Sequence, residues 1–167
     1  MSSPAYEIKK AGLADVPVIA SLAKEIWPVV YKEMISADQI TYMLETLYSE
    51  KALQEQIEKE NQQFLILYVQ QEPAGFVSFS PLPGQAVHKI NKLYLAARLH
   101  NKGLGKLLIK EAEKAIFDAG STQIILNVNR QNPARHFYKA CGYQISESVD
   151  IPIGPFWMND FVMAKNL

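Results

Sequence analysis

The stretch from Ile90 to Leu108, reading I-N-K-L-Y-L-A-A-R-L-H-N-K-G-L-G-K-L-L, constrains the fold more than any other part of the chain. An apolar strand, Ile90 to Leu95, runs into a polar turn holding Gly103 and Gly105, and a helix starts inside that turn and continues to about Ala119. The first N–H groups of such a helix have no partners within it, and the aligned peptide dipoles add partial positive charge, so the turn can hold an anion. The glycines permit close approach, and Lys102 and Lys106 stand beside them. Neither the Walker pattern G-x-x-x-x-G-K-[ST] nor the dinucleotide pattern G-x-G-x-x-G is present. H-N-K-G-L-G would suit a pyrophosphate, although a GxG before a helix is on its own more often a tight turn.

A chain of 167 residues fits a single domain, 1–167, with a sizeable core, since about this length buries roughly 70% of the unfolded surface. Lys plus Arg number 17 and Asp plus Glu 17, so no global field draws the protein to nucleic acid or to an anionic membrane, and partners must be chosen locally. Cys141 is the only cysteine and the three histidines have no zinc spacing, which argues against a disulfide or a structural metal. No secretory leader pattern follows Met1 and no apolar run approaches the ~20 residues of a membrane span. The expected location is the cytoplasm.

Along the chain, Tyr6–Lys10 alternates as a short first strand. Asp15 as N-cap and Pro17 in the first turn begin a helix whose Val16, Ile19, Ala20, Ala23 and Ile26 share a face, and Pro28 is expected to end it. Trp27 to Ile35 reads as a linker, Ser36 with Gln39 as a capping box for a helix to about Tyr48, and Ser49 to Glu60 as a further helix. Phe64–Val69 reads as a strand covered on both faces, Glu72–Gly75 as a turn, and Phe76–Phe79 as the hairpin partner. Ala86–Leu95 then feeds the phosphate turn. Leu107, Leu108, Ala112, Ala115 and Ile116 face inward on the next helix, which Gly120 stops. Ile124–Val128 is a central strand, Asn132-Pro133 opens a short helix, and Tyr143–Ile151 and Phe156–Lys165 are two long strands joined around Pro152, Gly154 and Pro155.

The segment H-N-K-G-L-G resembles the acyl-CoA-binding motif [QR]-x-x-G-x-[GA] of the GNAT N-acetyltransferase superfamily, with Gly103 and Gly105 on the small positions and His100 where the family usually has Arg or Gln. From Asn132 the chain reads N-P-A-R-H-F-Y-K-A-C-G-Y, similar to that family's later signature of Asn, a small residue, then [F/L]-Y-x-x-x-G-[F/Y]. The resemblance implies an α+β fold in α/β/α layers. It has a mixed, mostly antiparallel sheet of about seven strands, flanked by helices and splayed at a central parallel pair that holds acyl-CoA.

It also implies acetyl transfer from acetyl-CoA to an amine by direct attack. Cofactor contacts then fall on backbone N–H groups of the splayed strand around Leu93 and Leu95, on the turn His100, Asn101, Lys102, Gly103, Leu104, Gly105 and Lys106, and on Asn132, Arg135 and Lys139. The spacing to the later tyrosine leaves Asn129 as an alternative to Asn132. Tyr138 falls on the family's tyrosine, which protonates the leaving thiol; a phenol with a reference pKa near 10 carries its proton at neutral pH. Lysine-acetylating members carry Glu where Lys89 stands here. His88, beside it, titrates in the useful range and is the candidate base or relay, though alternation turns it to the opposite face from Lys89. Glu25, Glu33, Asp150 and Asp160 are carboxylates on segments that line the acceptor cleft in the resemblance. Cys141 lacks identifiable His and Asn/Asp partners and reads as a packed thiol.

The expected acceptor is a small primary amine, polyamine-like on the resemblance of I-W-P-V-V-Y and I-S-A-D-Q-I to bacterial members. The alternatives are a peptide or protein amine, or a non-catalytic acyl-CoA-binding module. Self-association into a homodimer stays open.

Overall fold

The computed structural model describes residues 5–167. Seven strands form one sheet in the order β1-β2-β3-β4-β5-β7-β6, comprising β1 (Tyr6–Ala11), β2 (Gln63–Val69), β3 (Glu72–Pro81), β4 (Val87–Leu95), β5 (Gln123–Asn129), β6 (Gln144–Ile153) and β7 (Phe156–Asn166). Every neighbouring pair is antiparallel except β4 and β5. Three helices, α1 (Val16–Tyr31), α2 (Ala37–Leu47) and α3 (Glu50–Lys59), lie between β1 and β2 in the chain; α4 (Leu104–Asp118) links the parallel pair and α5 (Ala134–Ala140) follows β5. The expected α/β/α layering and seven-stranded mixed sheet are thus observed.

Two apolar cores sit on opposite faces of the sheet. On one, α1 to α3 bury Ile19, Ile26, Trp27, Met43 and Leu53 against Phe64, Ile66 and Phe76. On the other, Leu108, Ile109, Ala112 and Ile116 of α4 pack on Leu67, Val77, Ile90, Ile124 and Leu126. The run F-L-I-L-Y-V in β2 therefore supplies alternate residues to both cores, which explains why it is apolar without alternation.

Three local expectations change. Pro28 does not end α1: it lies on the exposed side of a helix that continues to Tyr31. Its missing N–H leaves unpaired only a carbonyl one turn back, at exposed Lys24, while Trp27 and Tyr31 gain burial at 3% and 5% exposure. The first hairpin turns at Gln70-Gln71, both with positive φ (51° and 69°), rather than at Glu72–Gly75, which belongs to β3. Two positive φ values match the twist of a two-residue hairpin, and the Gln pair gives little sequence sign of them. Ser36 Oγ does accept from the Gln39 amide at 3.1 Å, but the Gln39 side chain donates to the Trp157 carbonyl at 2.9 Å, tying α2 to β7 in place of closing a capping box.

Gly75 sits where β3 passes beneath the end of β4. A Cβ there would lie 2.6 Å from the Tyr94 carbonyl oxygen and 3.2 Å from Leu95 Cα, both backbone atoms that cannot rotate away. Gly75→Ala should therefore displace the end of β4 and destabilise the fold by about 1–3 kcal/mol, the usual scale of overpacking. Urea denaturation checks this: an unchanged midpoint would mean that β4 is free to move there.

Candidate active site

The parallel pair is joined over a short length only. Val87, His88, Lys89 and Ile90 pair with Gln123, Ile124, Ile125 and Leu126, and beyond Ile90 and Leu126 the strands part. β3 still holds β4 as far as Leu95, and β7 still holds β5 as far as Asn129. The inner edges of Asn91–Leu95 and Asn127–Asn129 thus face each other across a fork with no ladder between them.

A bulge lies at the root of the fork. Ser78 pairs with Lys92 and Phe79 with Ile90, so Asn91 is an extra residue, anchored by its amide to Ser80 Oγ at 2.9 Å. The bulge reverses the alternation of β4. His88 and Ile90 face α4, whereas Lys92 and Tyr94 face α1 to α3. The sequence clue to it is Lys92, a charge in phase with buried Ile90.

Lys92 is buried, donates to Gln62 Oε1 at 2.9 Å, and has its ammonium 5.6 and 5.5 Å from the ring centroids of Tyr48 and Phe64. Burial lowers its pKa from 10.5 to about 7, with Lys89 acting in the same direction and Glu60 against it. Tyr94, next on this face, shares a 2.8 Å hydrogen bond with Tyr31 of α1, and Trp27 and Tyr48 pack around the pair. Burial raises all three tyrosine hydroxyls, that of Tyr31 to about 12, so they act as neutral hydrogen-bonding groups.

On the other face, the turn after β4 enters α4 through two left-handed residues, Asn101 (φ 64°) and Gly103 (φ 78°). Open space surrounds the position of a Gly103 Cβ, so conformation, not crowding, favours glycine there; a Gly105 Cβ would meet the Phe137 ring at 3.5 Å. Among the described residues the Leu107 amide reaches back to the Gly103 carbonyl, while those of Leu104, Gly105 and Lys106 donate to no protein acceptor. These are free donors at a positive helix end, as a pyrophosphate requires. Lys102 and Lys106 are exposed beside them. The His100 ring turns back to the carbonyl of Leu95, 2.8 Å from Nε2. A carbonyl only accepts, so Nε2 carries the proton and His100 fastens the turn to the end of β4.

Tyr138, from α5, is 8% exposed and packs against Phe137 and Tyr143. Burial holds its hydroxyl well above the usual phenol value, with Tyr31 and Cys141 adding to the rise. Tyr31 lies on the opposite face of the sheet. The α5 start is capped by Asn132 Oδ1, which accepts from the Ala134 amide at 2.9 Å, and Asn129 Oδ1 accepts from the Gln131 amide at the same distance. Arg135 closes the loop by donating to the Arg130 and Asn132 carbonyls, and Lys139 is exposed.

His88 is not brought to this fork. Its ring is buried on the α4 side, where β4 and β5 are still paired, with Nδ1 bonded to Ser121 Oγ, and burial lowers its pKa. Cys141 is half-buried with its pKa raised by burial and by Glu113, which keeps the thiol protonated; Glu113 itself is held by Tyr143 and Lys165. Beside the far end of β5, a pocket of about 200 Å³ is lined by Met34, Gln39, Asn129, Trp157 and Asn159, among others. Sequence reading missed Lys92 and Tyr94, whose turn toward Tyr31 and Tyr48 depends on the bulge.

A sheet forked between parallel strands, with free helix-start amides on one prong and a buried tyrosine opposite, is the architecture of an acyltransferase that works on a CoA thioester. The profile of the Acetyltransferase (GNAT) family matches residues 27–143. The chain belongs to this family; it is an N-acetyltransferase, and acetyl-CoA is the acetyl donor. It is 26% identical over 164 residues to a spermidine N(1)-acetyltransferase of Thermoplasma acidophilum, covering 95% of this chain and 96% of that one. Among solved structures it is similar to a PaiA N-acetyltransferase of Thermoplasma acidophilum in complex with coenzyme A (TM-score 0.84, 26% identity, 98% and 99% covered). A GCN5-related N-acetyltransferase from Rhodopseudomonas palustris shares the fold (TM-score 0.82, 23% identity, 100% and 98% covered). Among the described residues no helix is long and apolar enough to cross a membrane.

The lowered Lys92 pKa carries a sign that can be measured. From about 7 up to the ordinary 10.5 the unfolded chain holds the lysine proton and the folded chain does not. Wild-type stability should therefore rise through this window relative to Lys92→Met, which has no titrating group there. Melting temperatures of both proteins across the window test it; a constant difference would mean that the ammonium is solvated.

Proposed function

We propose that the protein acetylates a primary amine of a small, polyamine-like cation by direct transfer, without a protein nucleophile. The observation that carries this reading is the fork itself. It opens between a turn with free amides and a tyrosine held protonated, and among the described residues no cysteine or serine with a base partner lies at it.

The turn fits the cofactor: the amides from Asn101 to Lys106 would hold the pyrophosphate, with Lys102 and Lys106 adding charge. Bound acetyl-CoA supplies the acetyl group as a thioester. The free inner edge of β4 around Leu93 and Leu95 offers backbone N–H groups to the carbonyl oxygen, where negative charge develops. Asn132, or Asn129 beside it, has a side-chain NH₂ left to donate to the pantetheine arm, since each Oδ1 is already engaged. Arg135 and Lys139 stand on the same helix as Tyr138 and flank the cofactor path. The Tyr138 hydroxyl, kept neutral by burial, gives its proton to the departing sulfur. His100 acts as a brace between turn and strand, and His88, on the far side of the closed ladder, has no part in the chemistry.

A small acceptor is favoured by the pocket beside the fork, whose volume of about 200 Å³ lies below the ~300 Å³ at which sites for drug-sized ligands begin. The polyamine-like class is supported by the similarity to a spermidine N(1)-acetyltransferase over nearly the whole of both chains.

A screen of mono-, di- and polyamines with acetyl-CoA, read by release of free thiol, tests the reaction; silence with every amine would overturn it. In the same assay Tyr138→Phe should keep its affinity for acetyl-CoA and lose roughly 10²- to 10⁴-fold in turnover, the usual worth of general acid–base assistance. The loss should shrink with a donor whose leaving thiol is more acidic. Near-wild-type turnover at saturation would remove Tyr138 from the mechanism.

Gly103→Val should abolish the thermal shift that acetyl-CoA gives the wild type, which mass action sets at about 2.7 kcal/mol for a hundredfold excess over Kd. A β-branched side chain at φ 78° is strained and points into the space an anion needs. Retention of the full shift, with the fold intact, would move the cofactor elsewhere.

A further inference from the structure

We propose that Asp160, on β7 at the far prong of the fork, receives the acceptor ammonium and takes its proton before acetyl transfer. This deepens the acetyltransferase reading above and rests on it.

Asp160 pairs across the ladder with Asn129, the last residue of β5, well past the point where β4 departs. It is 6% exposed, and its Oδ1 is fully buried with no hydrogen-bond partner among the described residues. A carboxylate oxygen left in that state is costly unless a donor arrives, and a protonated amine is such a donor. The way in lies alongside. Asn129, its cross-strand partner, and Asn159, its neighbour on β7, both line the pocket of about 200 Å³, and the amide that follows Asn129 in the chain, that of Arg130, bonds the Asn159 carbonyl at 3.0 Å.

The groups facing Asp160 leave it available. Lys89 of β4 and Arg130 feel its charge, but among the described residues neither forms an ion pair with it. Arg130 is spent elsewhere: its guanidinium holds Asp150 at 2.7 Å and also donates to Ser148 and to the Val149 and Asp160 carbonyls. From β5, Asn127 stabilises the charged form; from α1, Tyr31 faces it as a neutral phenol. Burial raises the Asp160 pKa against the pull of Asn127, Lys89 and Arg130, which makes the carboxylate a better proton acceptor than an exposed one. Lys89 stands on the same face of the sheet, so the carboxylate of this site comes from the opposite prong.

The balance is complete with the groups at hand. R–NH₃⁺ gives one proton to Asp160, and the freed nitrogen pair forms the C–N bond to the acetyl carbon as the C–S bond breaks with its electrons going to sulfur. Sulfur takes the Tyr138 proton, Tyr138 is reprotonated by the second proton shed from nitrogen, and Asp160 later returns its proton to solvent.

The test compares wild type with Asp160→Asn, using spermidine and short diamines as probes. With coenzyme A bound, calorimetry should show wild type binding a diamine or spermidine and the variant at least tenfold weaker, while acetyl-CoA affinity stays within twofold. The kcat/KM of the variant should fall roughly 10²-fold and lose the limb set by the carboxyl titration, rising instead with the free-amine fraction alone. A merely structural Asp160 predicts lost stability instead. Because the raised carboxyl costs stability once ionised, Asp160→Asn should gain on wild type as pH rises through that titration. If Asp160→Asn does not fold, Asp160→Ser and the wild-type pH dependence stand in: amine affinity must weaken as the pH drops through the carboxyl range. Unchanged amine binding and pH profile in the variant, or no binding of any probe by the coenzyme A-loaded wild type, would overturn the assignment. Thiol release by wild type in that case would leave the acetyltransferase reading standing, whereas no thiol release with any amine would fell that reading itself.

Discussion

Backbone hydrogen bonding must be satisfied somewhere, and between its two outer edges this sheet fails to satisfy it where β4 and β5 part. β4 and β5 share a ladder over four residue pairs and then separate, although each remains tied to its outer neighbour. An edge strand inside a protein is normally covered or paired, because unpaired N–H and C=O groups away from water are costly. Here the two inner edges face one another, and a slot with donors and acceptors along both walls runs through an otherwise apolar sheet. Because the strands are parallel, the free amides at the start of α4 and the loop after β5 both lie at its open end, one on each prong. The proposed functional groups cluster at this gap, an interior part of the sheet whose backbone has bonds left to make.

Keeping the gap open takes specific support. The bulge at Asn91 turns Lys92 and Tyr94 toward α1 to α3, where an aromatic group from Trp27, Tyr31 and Tyr48 receives them. Lys92 is the expensive member: a lysine at 7% exposure gives up part of its charge and is matched by Gln62, which also accepts from Ser78 at 3.1 Å. Two rings over its ammonium add attraction that is strongest where water is excluded. Together with the Tyr31–Tyr94 hydrogen bond, this fixes the direction in which β4 leaves the sheet. His100, from the other side, fixes where the strand ends. The turn is thus held to the prong it serves by its own side chain, at a position where the family usually uses Arg or Gln.

Much of the fold was legible because local chemistry and tertiary role agree. Gly103 and Gly105 mark the start of α4, Ser36 and Ser49 cap α2 and α3, and the apolar run Phe64–Val69 matches a strand between two cores. What escaped the sequence was set by partners far along the chain. Pro28 is tolerated in α1 because burial of Trp27 and Tyr31 outweighs one lost hydrogen bond on a wet face. The Gln70-Gln71 turn carries none of the Gly or Asn that two positive φ values usually demand. The ordinary titration range of histidine kept His88 in view as a base, and alternation along β4 already set it opposite Lys89, but only the bulge shows that Lys92 and Tyr94 leave the face of His88 and Ile90 for the other. A single inserted residue exchanges the two faces of a strand, and no periodicity computed across it can be right on both sides.

In the proposed mechanism the same gap lets two groups on opposite faces of a sheet serve one reaction. Tyr138 belongs to the core beneath α4 and α5, and Asp160 faces the side of α1; in a closed ladder they would be insulated by a layer of apolar side chains. Here β4 and β5 have parted beyond Ile90 and Leu126, so no ladder stands between the two faces. Burial raises both pKa values, but from reference points far apart: the phenol is driven further into its neutral, proton-holding form, while the carboxyl becomes a more willing acceptor. One physical cause, desolvation at the mouth of a split sheet, therefore holds the proton on a phenol of one face and raises the proton affinity of a carboxyl on the other, the donor and acceptor that the proposed mechanism calls for.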